Sequence, residues 1–304
     1  MLETTPHRTS APPGCAWCGA LLEREPGSPP GRTPCARCGA ATTDPWPSDE
    51  ELDRAYGGWY RPPSGRFSGP GDALLRRTRA RLAARLARMA PPGPVLDVGA
   101  GDGALLDALG RRGRSATGLE RRSERADVLE VAIEELGGAY AAIVFWHSLE
   151  HLRAPGAALA AAAGLLSPGG VLILATPNAG SLQARAFGDR WFGLDIPRHL
   201  VHVPAAVLLE TLDELGLRVE RVSHLRGGQV VFGWLHGLVG SLPGRPDLYD
   251  AIRRPAARAR RGAPLGRAAT LGAALALLPV ALALALAEAG LGRGGTVYVE
   301  ARNR

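Results

Sequence analysis

The chain has 304 residues, 46% of them hydrophobic, enough to bury a full α/β core with room for small additions at either end. All 36 basic residues are arginine, and with abundant Ala, Gly and Pro this marks a GC-rich coding bias, so the net charge of +7 does not by itself select nucleic acid or lipid as a partner. Met1 to Ser10 are polar and carry no apolar run of the signal-peptide kind, which argues against secretion and makes a cytoplasmic, reducing location the expectation.

In chain order, residues 11–46 come first, a Pro/Gly/Thr-rich stretch holding all four cysteines. Cys15-Ala-Trp-Cys18-Gly and Cys35-Ala-Arg-Cys38-Gly are two C-x-x-C-G knuckles 16 residues apart, the spacing of a zinc ribbon in which four thiolates surround one tetrahedral ion. Disulfides are the alternative, disfavoured in a reducing compartment. Loss of the structural zinc is expected to unfold this module alone. Residues 47–71 read as a polar linker with aromatics at Tyr56, Trp59, Tyr60 and Phe67 that lie against the next domain. From residue 72 to 304 a single α/β domain is predicted. It opens on an amphipathic helix capped by Asp72, with Leu74, Leu75, Leu82, Leu86 and Met89 on its apolar face, stopped by Pro91 and Pro92.

Seven strands follow, with helices between most of them: Val95–Val98, Ser115–Leu119, Ala126–Val131, Ala141–Phe145, Val171–Ala175, Arg218–Ser223 and Thr296–Ala301. The first runs into the glycine loop Gly99-Ala-Gly101-Asp-Gly103, ahead of a helix from Ala104 to Leu109. Glycines there permit a tight turn and let a ligand approach bare backbone near a helix N-terminus. The spacing is G-x-G-x-G, Asp97 precedes it, and Glu120 ends the second strand 21 residues after Gly99, placed to accept both hydroxyls of a ribose. Asp97 and Asp102 would repel a pyrophosphate, so the loop suits a cationic cofactor without phosphate.

Asp97 to Gly103 with Glu120, the segment AAIVFWHSLEHL from Ala141 to Leu152, and LLSPGGVLILATPN from Leu165 to Asn178 together resemble the class I S-adenosylmethionine-dependent methyltransferases, most closely small-molecule enzymes of the ubiquinone-biosynthesis type. The resemblance covers about residues 100 to 223. It implies a Rossmann-like seven-stranded sheet with helices on both faces, and S-adenosylmethionine held by Asp97, Gly99, Gly101, Gly103 and Glu120. By position it also implies that Ala132 and Ile133 flank the adenine and that Trp146 and His147 close over the cofactor. Ordinary core packing is the competing reading of Ile133 and Trp146. One departure stands out, since Ala141 and Ala142 occupy the place where relatives commonly carry an aspartate at the start of the fourth strand.

His147, Glu150 and His151 form an H-x-x-E-H pattern that could present three ligands on one helical face, where some ubiquinone-type relatives hold a divalent ion with E-x-x-E-H; a hard ion prefers oxygen, so His147 weakens that reading. No N-P-P-Y-like segment follows the fourth strand, which argues against the branches that methylate adenine or glutamine amines. Methyl transfer from a sulfonium is an in-line displacement at the methyl carbon, needing a base only for a protonated acceptor. In the loop from Gly188 to His202, His199 and His202 are the candidates for that base, with loop-ordering histidines as the alternative.

The last feature is an insert over residues 224–293, apolar and basic, between the sixth and seventh strands. Within it, residues 268–287 carry no charge over the length of a membrane span, yet Pro279 is expected to divide the run and the seventh strand must rejoin the sheet it left. A monotopic or re-entrant contact with an anionic membrane is expected, with Arg253, Arg254, Arg258, Arg260, Arg261 and Arg267 meeting headgroups, against a helical pair packed on protein or in a dimer interface. The functional expectation is methyl transfer to a small-molecule or lipid-like acceptor. The alternatives are an RNA methyltransferase reading RNA through its ribbon, for which Trp17 and Trp46 are thin support, and a non-catalytic scaffold, against which the intact loop argues.

Overall fold

A computed structural model describes residues 14–23, 31–57, 66–67, 70–225, 228–254 and 266–304. Trp59, Tyr60, Arg258, Arg260 and Arg261 lie outside the described residues. The central element is a seven-stranded sheet whose strands are β3 (Val95–Val98), β4 (Ala116–Leu119), β5 (Val128–Leu129), β6 (Tyr140–Trp146), β7 (Leu166–Pro177), β9 (Leu217–Ser223) and β10 (Thr296–Asn303), with β1, β2 and β8 belonging to a second sheet described below. Its order is β5-β4-β3-β6-β7-β10-β9, parallel from β5 to β7, with β10 antiparallel to both of its neighbours. The strand order reverses at β3, so the loop after β3 opens at the crevice where such sheets bind ligands.

Side chains alternate across the sheet as the two-residue period requires. On one face Val95, Ala142, Val144, Val171 and Ile173 pack under α2 (Gly71–Met89) and α3 (Ala104–Gly110) through Leu82, Leu86, Leu105 and Leu109. On the other, Leu96, Ile143, Phe145, Leu172 and Leu174 pack under α4 (Pro155–Leu165) and α6 (Ala205–Glu214) through Leu159, Ala162, Leu208 and Leu212. The helix α2 begins one residue before its expected cap, because Asp72 instead accepts from the backbone N–H groups of Arg66 and Phe67. Leu74 and Leu75 are exposed rather than part of its buried face. The strand β7 starts five residues earlier than expected, and its register against β6 shifts between Leu166 and Val171, where Gly169 turns with φ of 71°.

A second, three-stranded antiparallel sheet joins the N-terminal residues to the domain. Strands β1 (Gly31–Pro34) and β2 (Ala41–Asp44) form a hairpin, and β2 pairs with β8 (Val201–His202). Cys15, Trp17, Cys35 and Ala40 belong to the same core as Phe145 and Leu159. The region read as linker contains α1 (Asp49–Ala55), started by a capping box in which Ser48 and Glu51 bond each other's backbone N–H. Asp49 and Asp53 of α1 pair with Arg121, and Asp49 also with Arg153.

Residues after β9 form the insert: α7 (Gln229–Val239), α8 (Leu248–Ile252) and α9 (Arg267–Gly290). They pack through Val230, Trp234, Ala281 and Ala285 onto α5 (Leu182–Phe187) and onto Trp191 and Leu194 of the following loop. Gly233 and Gly237 allow this approach, since a Cβ at Gly237 would sit 2.2 Å from the Phe187 ring. Pro279 does not divide the apolar run: α9 is one continuous helix of 24 residues. The proline faces outward, so its ring meets no packed side chain, although the helix forgoes the bond its N–H would make to Leu275 O.

Candidate functional site

At the end of β3 the chain turns through Gly99, Gly101 and Gly103, with φ of 83°, 62° and 75°, left-handed values that disfavour any side chain. Two of these glycines are also fixed by protein packing. A Cβ at Gly99 would lie 2.3 Å from Ser148 Cβ, and one at Gly103 would lie 2.5 Å from the Arg125 guanidinium. The N–H of Gly101 donates to Glu120 Oε2 at 2.8 Å, so the carboxylate expected to receive a ribose is already drawn against the loop.

Asp97 is buried beneath it, and burial, reinforced by the charges of Glu120 and Asp102 against that of Arg79, pushes its carboxyl up to about 6. Ser148 Oγ, buried beside Gly99, has no hydrogen-bond partner, an orphaned polar atom facing the turn. A carboxylate-lined, phosphate-repelling loop with an unsatisfied hydroxyl suits a cofactor bearing an ammonium and a sulfonium. The residues present therefore fit S-adenosylmethionine.

The other residues named for the cofactor are placed as follows. Ala132 is exposed and its N–H donates to Glu135 Oε1, whereas Ile133 is buried within the core under α4. Trp146 ends β6 half-buried between the Tyr298 ring, at 6.0 Å, and the Arg79 guanidinium, 5.2 Å from its centroid. His147 follows at φ 53°, an unusual backbone for a non-glycine residue, held by its N–H donating to Ala175 O at 2.7 Å.

Tertiary packing gathers His147, Glu150, His151 and His199 into one cluster at the ends of β6 and β7. Glu150 lies at its centre: Oε2 accepts from Thr176 at 3.0 Å, while Oε1 lies 3.5 Å from His147 Nδ1 and 3.9 Å from His199 Nε2. Burial alone would raise the Glu150 carboxyl, but the His147 hydrogen bond and the neighbouring histidines outweigh it and hold it near 2. The ligand atoms of Glu150, His151 and His199 lie within 4.8 Å of one another, so a metal reading of this cluster falls on His199 rather than on His147.

His199 Nδ1 lies 2.8 Å from Gly193 O. A carbonyl only accepts, so Nδ1 carries the proton and Nε2 carries the basic lone pair. Burial lowers His151 to about 4 and keeps it neutral, with its Nδ1 donating to Arg198 O at 2.8 Å.

His202 lies on β8, at the seam with the N-terminal sheet. Thr43 Oγ1 donates to His199 O at 2.6 Å and lies 3.0 Å from His202 Nε2, so the ring donates to the hydroxyl. Burial and the neighbouring cations push His202 down to about 3, which keeps it neutral. Nothing in the local sequence announces this seam, because Thr43 and His199 are separated by 156 positions.

The two cysteine knuckles adopt one geometry. In each, the first cysteine's carbonyl accepts from the glycine four residues on, and Gly19 and Gly39 turn with φ of 74° and 76°. Cys15 Sγ lies 3.7 Å from Cys38 Sγ, and Cys18 Sγ lies 3.7 Å from Cys35 Sγ. A disulfide would need about 2.05 Å. Four sulfurs at about 2.3 Å from a central zinc would lie about 3.8 Å apart, so the spacing matches the edge of that tetrahedron. Trp17, between the cysteines, is buried with its Nε1 donating to Thr211 Oγ1, and Trp46 lies under the Arg153 guanidinium.

Residues 73–222 match the family model described as a methyltransferase domain. Over 180 residues the chain is 29% identical to a ubiquinone biosynthesis O-methyltransferase of Xanthomonas axonopodis pv. citri, covering 51% of this chain and 75% of that one. A protein of the same description from Xanthomonas campestris pv. campestris is 34% identical over 129 residues, covering 36% of this chain and 54% of its own length, so the chain spans only about half of that relative. Among solved structures, 1,6-didemethyltoxoflavin-N1-methyltransferase from Burkholderia thailandensis, with bound 1,6-didemethyltoxoflavin and S-adenosylhomocysteine, is 16% identical with a TM-score of 0.45, covering 88% of this chain and 96% of that one.

Proposed function

Because this chain belongs to the class I S-adenosylmethionine-dependent methyltransferases, we propose that it methylates a small-molecule or lipid-like acceptor held beneath the loop from Gly188 to His202. The observation that carries this reading is the buried cluster of Glu150, His151 and His199, set at the strand ends beside the glycine loop and joined to it by Ser148 against Gly99. When bound, the cofactor supplies an electrophilic methyl group. Glu120 and Asp97 would hold its hydroxyl and cationic groups.

His199 acts as the proton acceptor for a hydroxyl or amine nucleophile, since its Nδ1 is committed to Gly193 and its Nε2 faces Glu150, whose negative charge stabilises the imidazolium formed. His202 acts through Thr43 as a positioning residue that fixes the backbone carrying His199. The relatives named as ubiquinone biosynthesis O-methyltransferases support a small or lipid-like acceptor over RNA. Trp17 and Trp46, the aromatics that an RNA-reading ribbon would offer, are engaged with protein.

Cys15, Cys18, Cys35 and Cys38 hold one structural zinc in this reading, which also favours a reducing, cytoplasmic compartment. We take residues 11–46 as the ribbon, 72–304 as the methyltransferase domain and 224–293 as its insert.

Calorimetry with S-adenosylmethionine tests the cofactor assignment. Gly101→Val and Glu120→Ala are each expected to weaken binding by roughly tenfold or more, the worth of a charge-assisted hydrogen bond or a blocked backbone approach. Wild-type affinity in both variants would show that the cofactor lies elsewhere. Transfer of labelled methyl to extracted RNA, with none to phenolic or lipid pools, would instead favour the RNA reading.

A further inference from the structure

The helix α9 is inverted relative to the helix of a water-soluble surface. Its inner face carries the helix's one carboxylate: Glu288 is fully buried and accepts from Gln183 N–H, Gln183 Nε2 and Trp234 Nε1, each at 2.8 Å. Its outer face is apolar throughout. Leu275 is 73% exposed and Leu286 60%, with Val280 and Leu282 also exposed and Gly, Ala and Pro279 filling the positions between. The most apolar 18-residue window of α9 has a mean hydropathy of 2.3 and only 22% of it is buried. A core helix of that composition would be covered.

A span across a bilayer is incompatible with how the helix is tied down. At its start, Arg267 Nε donates to Ala251 O. At its end Glu288 joins it to α5 and α7, and β10 enters the sheet six residues after Gly290. Both ends are fixed to one body, so an apolar phase can meet α9 only along its outer side.

From these observations we propose that the outer face of α9 docks in the plane of an anionic lipid bilayer. Two arguments choose lipid over a second copy of the chain. The face offers no side-chain hydrogen-bonding group from Leu271 to Ala287, whereas protein interfaces carry about one hydrogen bond per 100–200 Å² and favour aromatic residues; a lipid interior asks for neither. Charge is the second. Exposed Arg267 and Arg293 bracket the face, and the sequence from Ala251 to Ala287 contains six arginines and no carboxylate, which repels a like-charged copy and attracts anionic headgroups. Arg253 takes no part, being buried over the Tyr249 ring. Because Ala281 and Ala285 on the inner side pack with Trp191 and Leu194, the docked helix would lie behind the loop that carries His199. The inference deepens the lipid-like acceptor reading, and its test uses neither cofactor nor acceptor.

Purified full-length protein is floated with phosphatidylcholine vesicles with and without phosphatidylglycerol, at low and high salt. The protein is expected to float with the anionic vesicles and to lose that binding at high salt. A variant carrying Leu275→Glu, Leu282→Glu and Leu286→Glu, all at exposed positions, is expected to bind roughly tenfold less or weaker. Its thermal midpoint and S-adenosylmethionine affinity should match wild type, which separates a lost surface from a lost fold or cofactor site. Wild type that stays in the soluble fraction with anionic vesicles overturns the proposal, and sedimentation of a dimer that the same substitutions dissociate would assign the face to a second copy. Equal flotation of variant and wild type would place lipid contact elsewhere and overturn it as well.

Discussion

Two additions flank the same sheet and are joined to it in opposite ways. The N-terminal cysteine module turns its apolar groups inward: Trp17 and Cys35 share a core with Phe145, and β2 extends a sheet through β8 into the site loop. The C-terminal insert buries a polar network around Glu288 and leaves Leu275, Leu282 and Leu286 of α9 outside. The same burial rule thus yields two outcomes. Where apolar groups find partners inside, an addition becomes part of the site; where they do not, it presents a surface.

The largest effect that could break this comparison concerns the ion. One zinc per chain is expected by elemental analysis, and Cys38→Ser should abolish it and lower the melting temperature by roughly 10 °C or more, since metal binding energy is folding energy in such a module. Sequence reading alone would confine the damage to residues 11–46. The shared core and the bonds from Thr43 to His199 and His202 predict instead that methyl transfer is lost with it. A variant that loses zinc yet keeps its melting temperature and turnover would show the module to be separable.

In the insert, Glu288→Ala should leave the Gln183 N–H and Trp234 Nε1 without an acceptor and Gln183 Nε2 with Val230 O alone, at a cost of about 3 kcal/mol, while Glu288→Gln should recover part of it. Denaturant unfolding of both variants measures this. Equal stability of the alanine variant and wild type would mean that the network does not anchor α9.

The smallest expected effect is the response to acid. Buried His151 and His202 have folded values pushed down to about 4 and 3, from an ordinary value near 6.5. The unfolded chain then binds more protons between these limits. Stability contributed by the two rings is full above pH 6.5 and declines as pH falls toward 4, by about 1.4 kcal/mol per group per pH unit. Asp97, raised to about 6, acts in the opposite sense, since its burial is less costly once protonated and offsets part of the loss below pH 6. Thermal midpoints at pH 7.5 and 5.5 should therefore differ by several degrees, with the lower value in acid; a higher midpoint at pH 5.5 would contradict the burial of neutral rings at the seam.

Several elements were legible in advance because their signals are local. The strand from Val95 to Val98, the glycine turn and Glu120 fall within 26 residues; the bond from the Gly101 N–H to Glu120 that the structure adds was not part of that reading. The helix α1 was legible too, in the Ser48-x-x-Glu51 capping box, but with five charged residues among its seven it resembles a linker by composition. What remained hidden needed distant partners. Pro279 sits on the outer side of an unbroken helix, and Arg253 is buried although its neighbours in the sequence suggested a headgroup contact.

The sequence by itself determined the parallel sheet with its carboxylate-lined loop, the four-cysteine knuckles and the presence of one long uncharged helix, because each follows from residue spacing within a strand, turn or helix. Only the tertiary structure decided that Thr43 locks the histidine loop, that Glu150 gathers His147 and His199, and that Glu288 turns inward while Leu275, Leu282 and Leu286 of α9 turn out. Those outcomes depend on which surfaces meet across dozens of residues of chain for Glu150 and His199, and more than a hundred for Thr43 and Glu288, and no local period encodes that meeting.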